Sequence, residues 1–243
     1  MKKEERHQMK QDDLATLLEA GATYFQEHRR QVLTVGGIAV VAIALILGGR
    51  AYFNARSAQS ARMLGDLIGT YNAQVTASLE DLGNAKAGVP TFTSTEERDR
   101  KVIEMADALL KRDGSGLSAS GAALYKAMAL AGLKRYDEAA PLLKSLADRD
   151  PGGVFGAMAR LRLARLREEQ GKADDAMPLY QAIADTKGSL VPQEEGILGL
   201  ARCQETLGKP DEAMKLYRRL MSDFPDSEYA SEARTHLDAE DHS

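Results

Sequence analysis

With 243 residues, 44% of them apolar and 28% charged, the chain is long enough for one medium folded domain and further segments. A formal net charge of −4 offers phosphate no basic stripe, which excludes nucleic acid as the expected partner. Aromatic residues are only 5%, Trp is absent and Ala and Leu dominate, a composition suited to closely packed helices rather than a β-sandwich or barrel.

Cys203 is the single cysteine, so an internal disulfide is impossible. The four histidines are His7, His28, His236 and His242, which leaves no imidazole between Arg29 and Thr235. A His-dependent zinc site, or a Ser/His or Cys/His pair, therefore has no histidine in the body of the chain. No Gly-rich phosphate loop is present either. The expectation is a non-enzymatic protein with no cofactor, no metal and no small-molecule substrate.

Residues 1–31 form a first segment. Within it, QDDLATLLEAGATYFQE (11–27) places Leu14, Leu17, Leu18 and Phe25 on one helical face, with Asp12 and Asp13 where a helix start favours acid. This reads as a short amphipathic helix leading into the apolar run beyond it, or as a docking helix for a cytoplasmic partner.

Val32 to Gly49, VLTVGGIAVVAIALILGG, is eighteen residues without a charge. A helix of that length covers roughly 27 Å, close to the hydrocarbon thickness of a bilayer. Tyr52 and Phe53 lie at the edge favoured by amphipathic rings, so 32–53 is assigned to a transmembrane helix that meets the lipid bilayer through residues 32–49. The 31 residues before the run, and its length, argue against a cleaved signal peptide. Lys2, Lys3, Arg6, Lys10, Arg29 and Arg30 precede the span, whereas Arg50, Arg56 and Arg62 come after it. That bias puts the amino terminus in the cytoplasm and the bulk of the chain outside, in the periplasm of a Gram-negative cell.

Residues 54–117 read as a divergent first helical hairpin, with 58–80 and 95–112 as its helices. Then come three related units over 118–226. RYDEAAPLLKSLADRDP (135–151), KADDAMPLYQAIADTKG (172–188) and KPDEAMKLYRRLMSDFP (209–225) each open on an acidic pair followed by Ala139, Ala176 or Ala213, thirty-seven residues apart. Ala127, Ala164 and Ala201 keep the same spacing upstream, as do Leu143, Tyr180 and Tyr217 downstream. Small alanines let the two helices of a hairpin approach. The aspartates are expected to cap the second helices, and Pro141 and Pro178 to fall in or near the first turn. Residues 227–243 supply a capping helix and a loose tail.

Ala127/Ala139/Leu143/Pro151 and Ala201/Ala213/Tyr217/Pro225 resemble the small–small–large–Pro ladder of the tetratricopeptide repeat. The middle unit keeps Ala164/Ala176/Tyr180 but has Gly188 in place of Pro. The fold expected is therefore all-α: one amino-terminal transmembrane helix, then a tetratricopeptide-repeat α-solenoid. The whole layout, with the stretch HRRQVLTVGGIAVVAIALILGGRAYFNARSAQSARM, resembles the YfgM-type family of ancillary SecYEG translocon subunits. That resemblance implies a bacterial inner-membrane protein beside the Sec translocon, handling exported chains with SecYEG and a membrane-anchored periplasmic chaperone as partners. The run YRRLMSDFPDSEYASEARTHL also resembles repeats of cell-envelope assembly proteins, which leaves open a role in coordinating cell-wall synthesis, division or an assembly machine.

In the repeat register Leu161 and Leu198, Arg165 and Arg202, and Glu168 and Glu205 stack unit over unit on the first helices, the face suited to a peptide or a partner helix. Two readings stand. Either the arginines bind a partner's carboxylates while the leucines take apolar side chains, or each arginine pairs with the glutamate one turn along its own helix.

Overall fold

A computed structural model describes residues 29–76 and 90–240. The expected amphipathic helix within residues 1–31 and the last residues of the tail lie outside the described residues. Nine helices occupy the described chain: α1 Arg29–Tyr71, α2 Thr95–Arg112, α3 Leu117–Gly132, α4 Tyr136–Arg149, α5 Val154–Glu169, α6 Ala173–Ala184, α7 Gln193–Thr206, α8 Pro210–Asp223 and α9 Glu228–Glu240. Among these residues there is no strand, only an isolated parallel bridge between Val75 and Phe92.

Contacts divide the chain into two units, 1–58 and 59–243, at a point inside α1. Because α1 is unbroken, neither residue 53 nor residue 58 is a helix boundary, and the helix expected over 58–80 is its last part, ending at Tyr71.

In the first unit, Val41, Ile43, Leu45, Ile46 and Leu47 of α1 are all more than half exposed, as are Tyr52 and Phe53, whose rings meet edge to face at 5.7 Å. Apart from Thr34, the side chains of residues 32–40 lie outside the described set. Among the described residues no helix is long and apolar enough to cross a membrane.

The second unit is a succession of antiparallel hairpins. Each helix from α2 onward packs on the next, and α3, α5, α7 and α9 also contact one another in sequence. The alanine seam explains the close packing: Ala127, Ala139, Ala164, Ala176, Ala201 and Ala213 are all fully buried. Leu143, Tyr180 and Tyr217 fill the next layer and are equally enclosed. Below the first repeat, Leu67 of α1 packs with Val102, Ala106 and Leu109 of α2 and Ala122 and Ala129 of α3.

The turn inside each hairpin has one geometry. Lys134, Gly171 and Gly208 take φ of 59°, 71° and 69°, thirty-seven residues apart. The next residue donates its N–H five residues back (Arg135 to Leu130, Lys172 to Arg167, Lys209 to Gln204), and the left-handed residue donates three back, which satisfies the last carbonyls of the first helix. Lysine pays a steric cost of roughly 1–2 kcal/mol in this conformation, offset in part by the roughly 0.4–1 kcal/mol that glycine's looser unfolded chain loses. Lys134→Gly is therefore expected to raise the unfolding free energy by about 0.5–1 kcal/mol in urea denaturation. A neutral or destabilising result would mean that the turn is not strained.

Two local expectations need correction. The residues before α4, α6 and α8 are Arg135, Lys172 and Lys209, and none makes a side-chain cap. The acidic pairs Asp137-Glu138, Asp174-Asp175 and Asp211-Glu212 stand inside the first turn, where they complement the helix dipole without capping it. Pro141 and Pro178 are the sixth residues of α4 and α6, beyond the first turn, so each removes a helical hydrogen bond. Pro210 does begin its helix, where a missing N–H costs nothing. A side-chain cap exists at α2, where Ser94 accepts from the N–H of Glu97 and Glu97 reaches back to the N–H and hydroxyl of Thr93.

Candidate protein-interaction face

The first helices of successive hairpins, α5 and α7, and the last helix, α9, carry a chain of charged and phenolic groups that joins each to the next. Arg165 of α5 donates to Glu195 of α7, which is almost wholly buried. Glu195 also accepts from the Tyr229 hydroxyl of α9 at 2.6 Å. Arg202 of α7 donates back to Glu168 of α5 at 2.8 Å and forward to Glu232 of α9 at 3.4 Å. Glu168 in turn accepts from the buried Tyr180 hydroxyl of α6 at 2.5 Å. At the end of the array Glu205 meets Nδ1 of His236 at 3.0 Å, and the His236 ring stacks on Tyr217 at 4.6 Å.

The pairs obey the repeat. Arg165 to Glu195 and Arg202 to Glu232 are both thirty residues apart, and Tyr217 follows Glu205 by twelve residues as Tyr180 follows Glu168, although the buried Tyr217 hydroxyl, unlike that of Tyr180, has no hydrogen-bond partner among the described residues. The pairing expected between the arginines and the glutamates one turn along the same helix is not the one the structure shows for Arg165 and Arg202. They pair across units, and so tie neighbouring hairpins together.

The remaining expected residues divide. Leu198 is only 2% exposed and packs in the core with Ile197, Ala201 and Tyr217, so it has no side chain to offer a partner. Leu161 is partly buried against the same cluster. Glu168 and Glu205 are half-buried against Arg202 and His236. Glu195, Tyr229 and Glu232 were not expected in the face, although Glu195 and Glu232 share the thirty-seven-residue spacing and would have been found by extending the register to acidic residues.

The electrostatics reflect burial in company. Burial pushes the Glu195 carboxyl up, but bonds from Tyr229 and Arg165 prevail and hold it below the usual carboxylate range. Burial weighs against the Arg202 charge, yet its bond to Glu168 leaves the guanidinium pKa raised. Burial, then the Glu168 bond, raises the Tyr180 hydroxyl, and burial beside Glu205 does the same for Tyr217. The bond to Glu195, with burial, pushes Tyr229 up to about 12. Because a raised folded pKa favours the protonated hydroxyl, the stability it contributes is present below the ordinary value of 10 and is lost as pH rises through about 12. Urea unfolding measured across that range is expected to show falling stability, less steeply in Tyr229→Phe than in the native chain. Identical slopes would place the alkaline sensitivity elsewhere.

Cys203 is fully buried, and burial pushes its thiol up to about 11, which makes it a packing residue rather than a reactive one. Among the described residues no group of three or more His, Cys, Asp or Glu is placed to hold a metal ion.

Stacked hairpins with a 37-residue period, alanine seams and cross-unit contacts between first helices are the features by which a repeat family is recognised. Residues 22–188, more than half of the chain, match the tetratricopeptide repeat-like domain. The chain belongs to that family. Residues 195–227 match the tetratricopeptide repeat as well, so tetratricopeptide matches take in α7 and α8. No curated protein matches the chain. Among solved structures, the nearly identical TPR-like repeats of a protein described as a kinesin light chain from Podosopora anserina match with a TM-score of 0.48 and 14% identity, covering 58% of this chain and 76% of that one. Tetratricopeptide domains mediate protein–protein interactions, and in this one ion pairs join the first helices of neighbouring hairpins.

Proposed function

We propose that this chain is a non-enzymatic interaction scaffold anchored in a bacterial inner membrane, with its amino terminus in the cytoplasm and its tetratricopeptide hairpins in the periplasm. Residues 32–49 cross the bilayer once. The hairpins bind protein partners beside the Sec translocon, among them a membrane-anchored periplasmic chaperone, and help receive exported chains.

The observation that carries the anchor is the apolar end of α1. Five large aliphatic side chains between Val41 and Leu47 point to no protein neighbour that covers them, and they continue an uncharged run that begins at Val32. Burying such a side chain is worth about 1.5–3 kcal/mol, so a helix apolar on every side belongs in lipid. The excess of Lys and Arg before the run sets the orientation.

Vesicles washed with alkaline carbonate test the anchor. The chain is expected to stay in the membrane pellet, and protease added to the outside of spheroplasts to digest the hairpins. Release into the wash, or hairpins protected in intact spheroplasts, would contradict the anchor or its orientation. Crosslinking in intact membranes then tests the partner. Adducts with translocon subunits and a periplasmic chaperone are expected; adducts confined to cell-wall synthesis or division proteins would move the chain to the envelope-assembly role.

A further inference from the structure

The ladder has a step without an acid. In the repeat register Arg202 and Arg165 correspond to Met128, and Glu205 and Glu168 correspond to Ala131. Arg202 therefore holds a carboxylate on each side, Glu168 behind and Glu232 ahead. Arg165 holds only Glu195 ahead, because the position behind it that would match Glu168 is Ala131.

Among the described residues no side chain fills that position. A cavity of about 260 Å³ lies there, lined by Tyr71, Met128, Ala131, Arg162, Arg165 and Glu169 among others. Its size is below that of a site for a drug-sized ligand and suits a single side chain. Arg162 makes no hydrogen bond or ion pair among the described residues. The Tyr71 wall is fixed: its ring meets Tyr125 edge to face at 5.2 Å and lies under the Arg98 guanidinium at 5.2 Å. The lining holds two guanidinium groups and the carboxylate of Glu169; Glu195, bonded to Arg165, balances one of them, which leaves Arg162 as the guanidinium that meets no bonded carboxylate among the described residues.

We infer that this cavity seats an acidic side chain of a partner protein, which Arg165 and Arg162 hold where the ladder lacks its own carboxylate, with Tyr71 and Met128 packing against the partner's aliphatic stem. The arginine chemistry suits it, since guanidinium groups bind carboxylates through paired N–H donors. The inference rests on the reading of the domain as a protein-binding scaffold and adds the chemistry of what it binds.

The test uses the full-length chain in detergent and fluorescein-labelled peptides of alternating Glu and Leu, with Gln–Leu and Lys–Leu peptides for comparison, read by fluorescence anisotropy. The Glu–Leu peptide is expected to bind at least about tenfold more tightly than either counterpart. Ala131→Glu supplies the missing acid from within the chain and is expected to abolish that preference. Arg162→Gln, which loses no hydrogen bond or ion pair among the described residues, is expected to keep the fold and to weaken Glu–Leu binding by about tenfold. The inference is overturned if the Glu–Leu peptide does not bind, if Gln–Leu binds as well, or if binding is the same in Arg162→Gln; Ala131→Glu counts in the same way when its helical circular dichroism is native. Crosslinked partners in membranes that persist unchanged in Ala131→Glu would leave the scaffold standing and remove only this seat.

Discussion

Replacing Arg202 by methionine is expected to lower the unfolding free energy by about 3 kcal/mol. The guanidinium is the link that three helices share, bonded to Glu168 of α5 and Glu232 of α9 from its place on α7. Removing it leaves Glu168 half-buried with only the Tyr180 hydroxyl for company. Breaking a fully buried ion pair by deleting one partner costs about 3–5 kcal/mol, and the effect here sits at the lower end because Arg202 and Glu168 keep 28% and 23% of their side-chain surface in water. The double change Arg202→Met with Glu168→Leu is expected to recover only part of the loss, since the apolar pair needs no partner but the buried Tyr180 hydroxyl loses its acceptor. Arg100→Met, in a pair whose members are 72% and 62% exposed, is the control and is expected to cost well under about 1 kcal/mol. An Arg202 variant no worse than the Arg100 variant would show that the ladder does not brace the stack.

The second large effect concerns glycine on α7. A Cβ added at Gly196 would stand 2.5 Å from the Ala184 backbone nitrogen and 2.7 Å from the Tyr180 carbonyl oxygen, atoms that belong to the α6 helix and cannot turn aside. A Cβ at Gly199 would overlap the Tyr180 ring, and that ring is fully buried. Either alanine forces α6 and α7 apart, and overpacking of this kind costs about 1–3 kcal/mol, at the upper end where the obstacle is backbone. Gly196→Ala is thus expected to lose about 3 kcal/mol in thermal or urea unfolding, and Gly152→Ala, with nothing within 4 Å, to change stability little. The cause is separable at Gly199: Tyr180→Leu removes the obstructing ring, so Gly199→Ala is expected to cost less in that background than alone. Additive costs would mean that the two residues do not meet.

The two sites explain why some of the fold was legible in the sequence and some was not. The alanine seam could be read directly, because one small residue repeated every thirty-seven positions has few meanings besides close helix packing. The middle unit's departure, Gly188 for Pro, did not hide it. The capping reading failed over a matter of register: Asp137, Asp174 and Asp211 come after the helix has started, and the residues at the true start are Arg135, Lys172 and Lys209. Gly196 shares its spacing with Ala122, Ala159 and Ala233, a second small-residue row, whereas Gly199 corresponds to Arg162 and carries no such signal; what a Cβ would meet at either depends on where α6 lies.

The face was half legible for the same reason. Arg165 and Arg202 were visible as a spaced pair, but spacing along one helix favours Glu168 and Glu205 as partners. The observed partners are thirty or thirty-four residues away, an offset that only the stacking of one hairpin on the next creates. Leu198 was placed on the open face by the same register argument, whereas α7, packed between α6 and α8 and contacted by α5 and α9, has most of its surface enclosed.

Photocrosslinking in intact membranes tests the central claim most directly. A benzophenone amino acid placed at Glu169, exposed at the edge of the ladder face, is compared with one at Lys144, exposed on α4 away from it. The account predicts discrete protein adducts from position 169 and none of comparable yield from 144. Equal adducts from both positions, or none from 169 while lipid or detergent adducts form elsewhere on the chain, would contradict it.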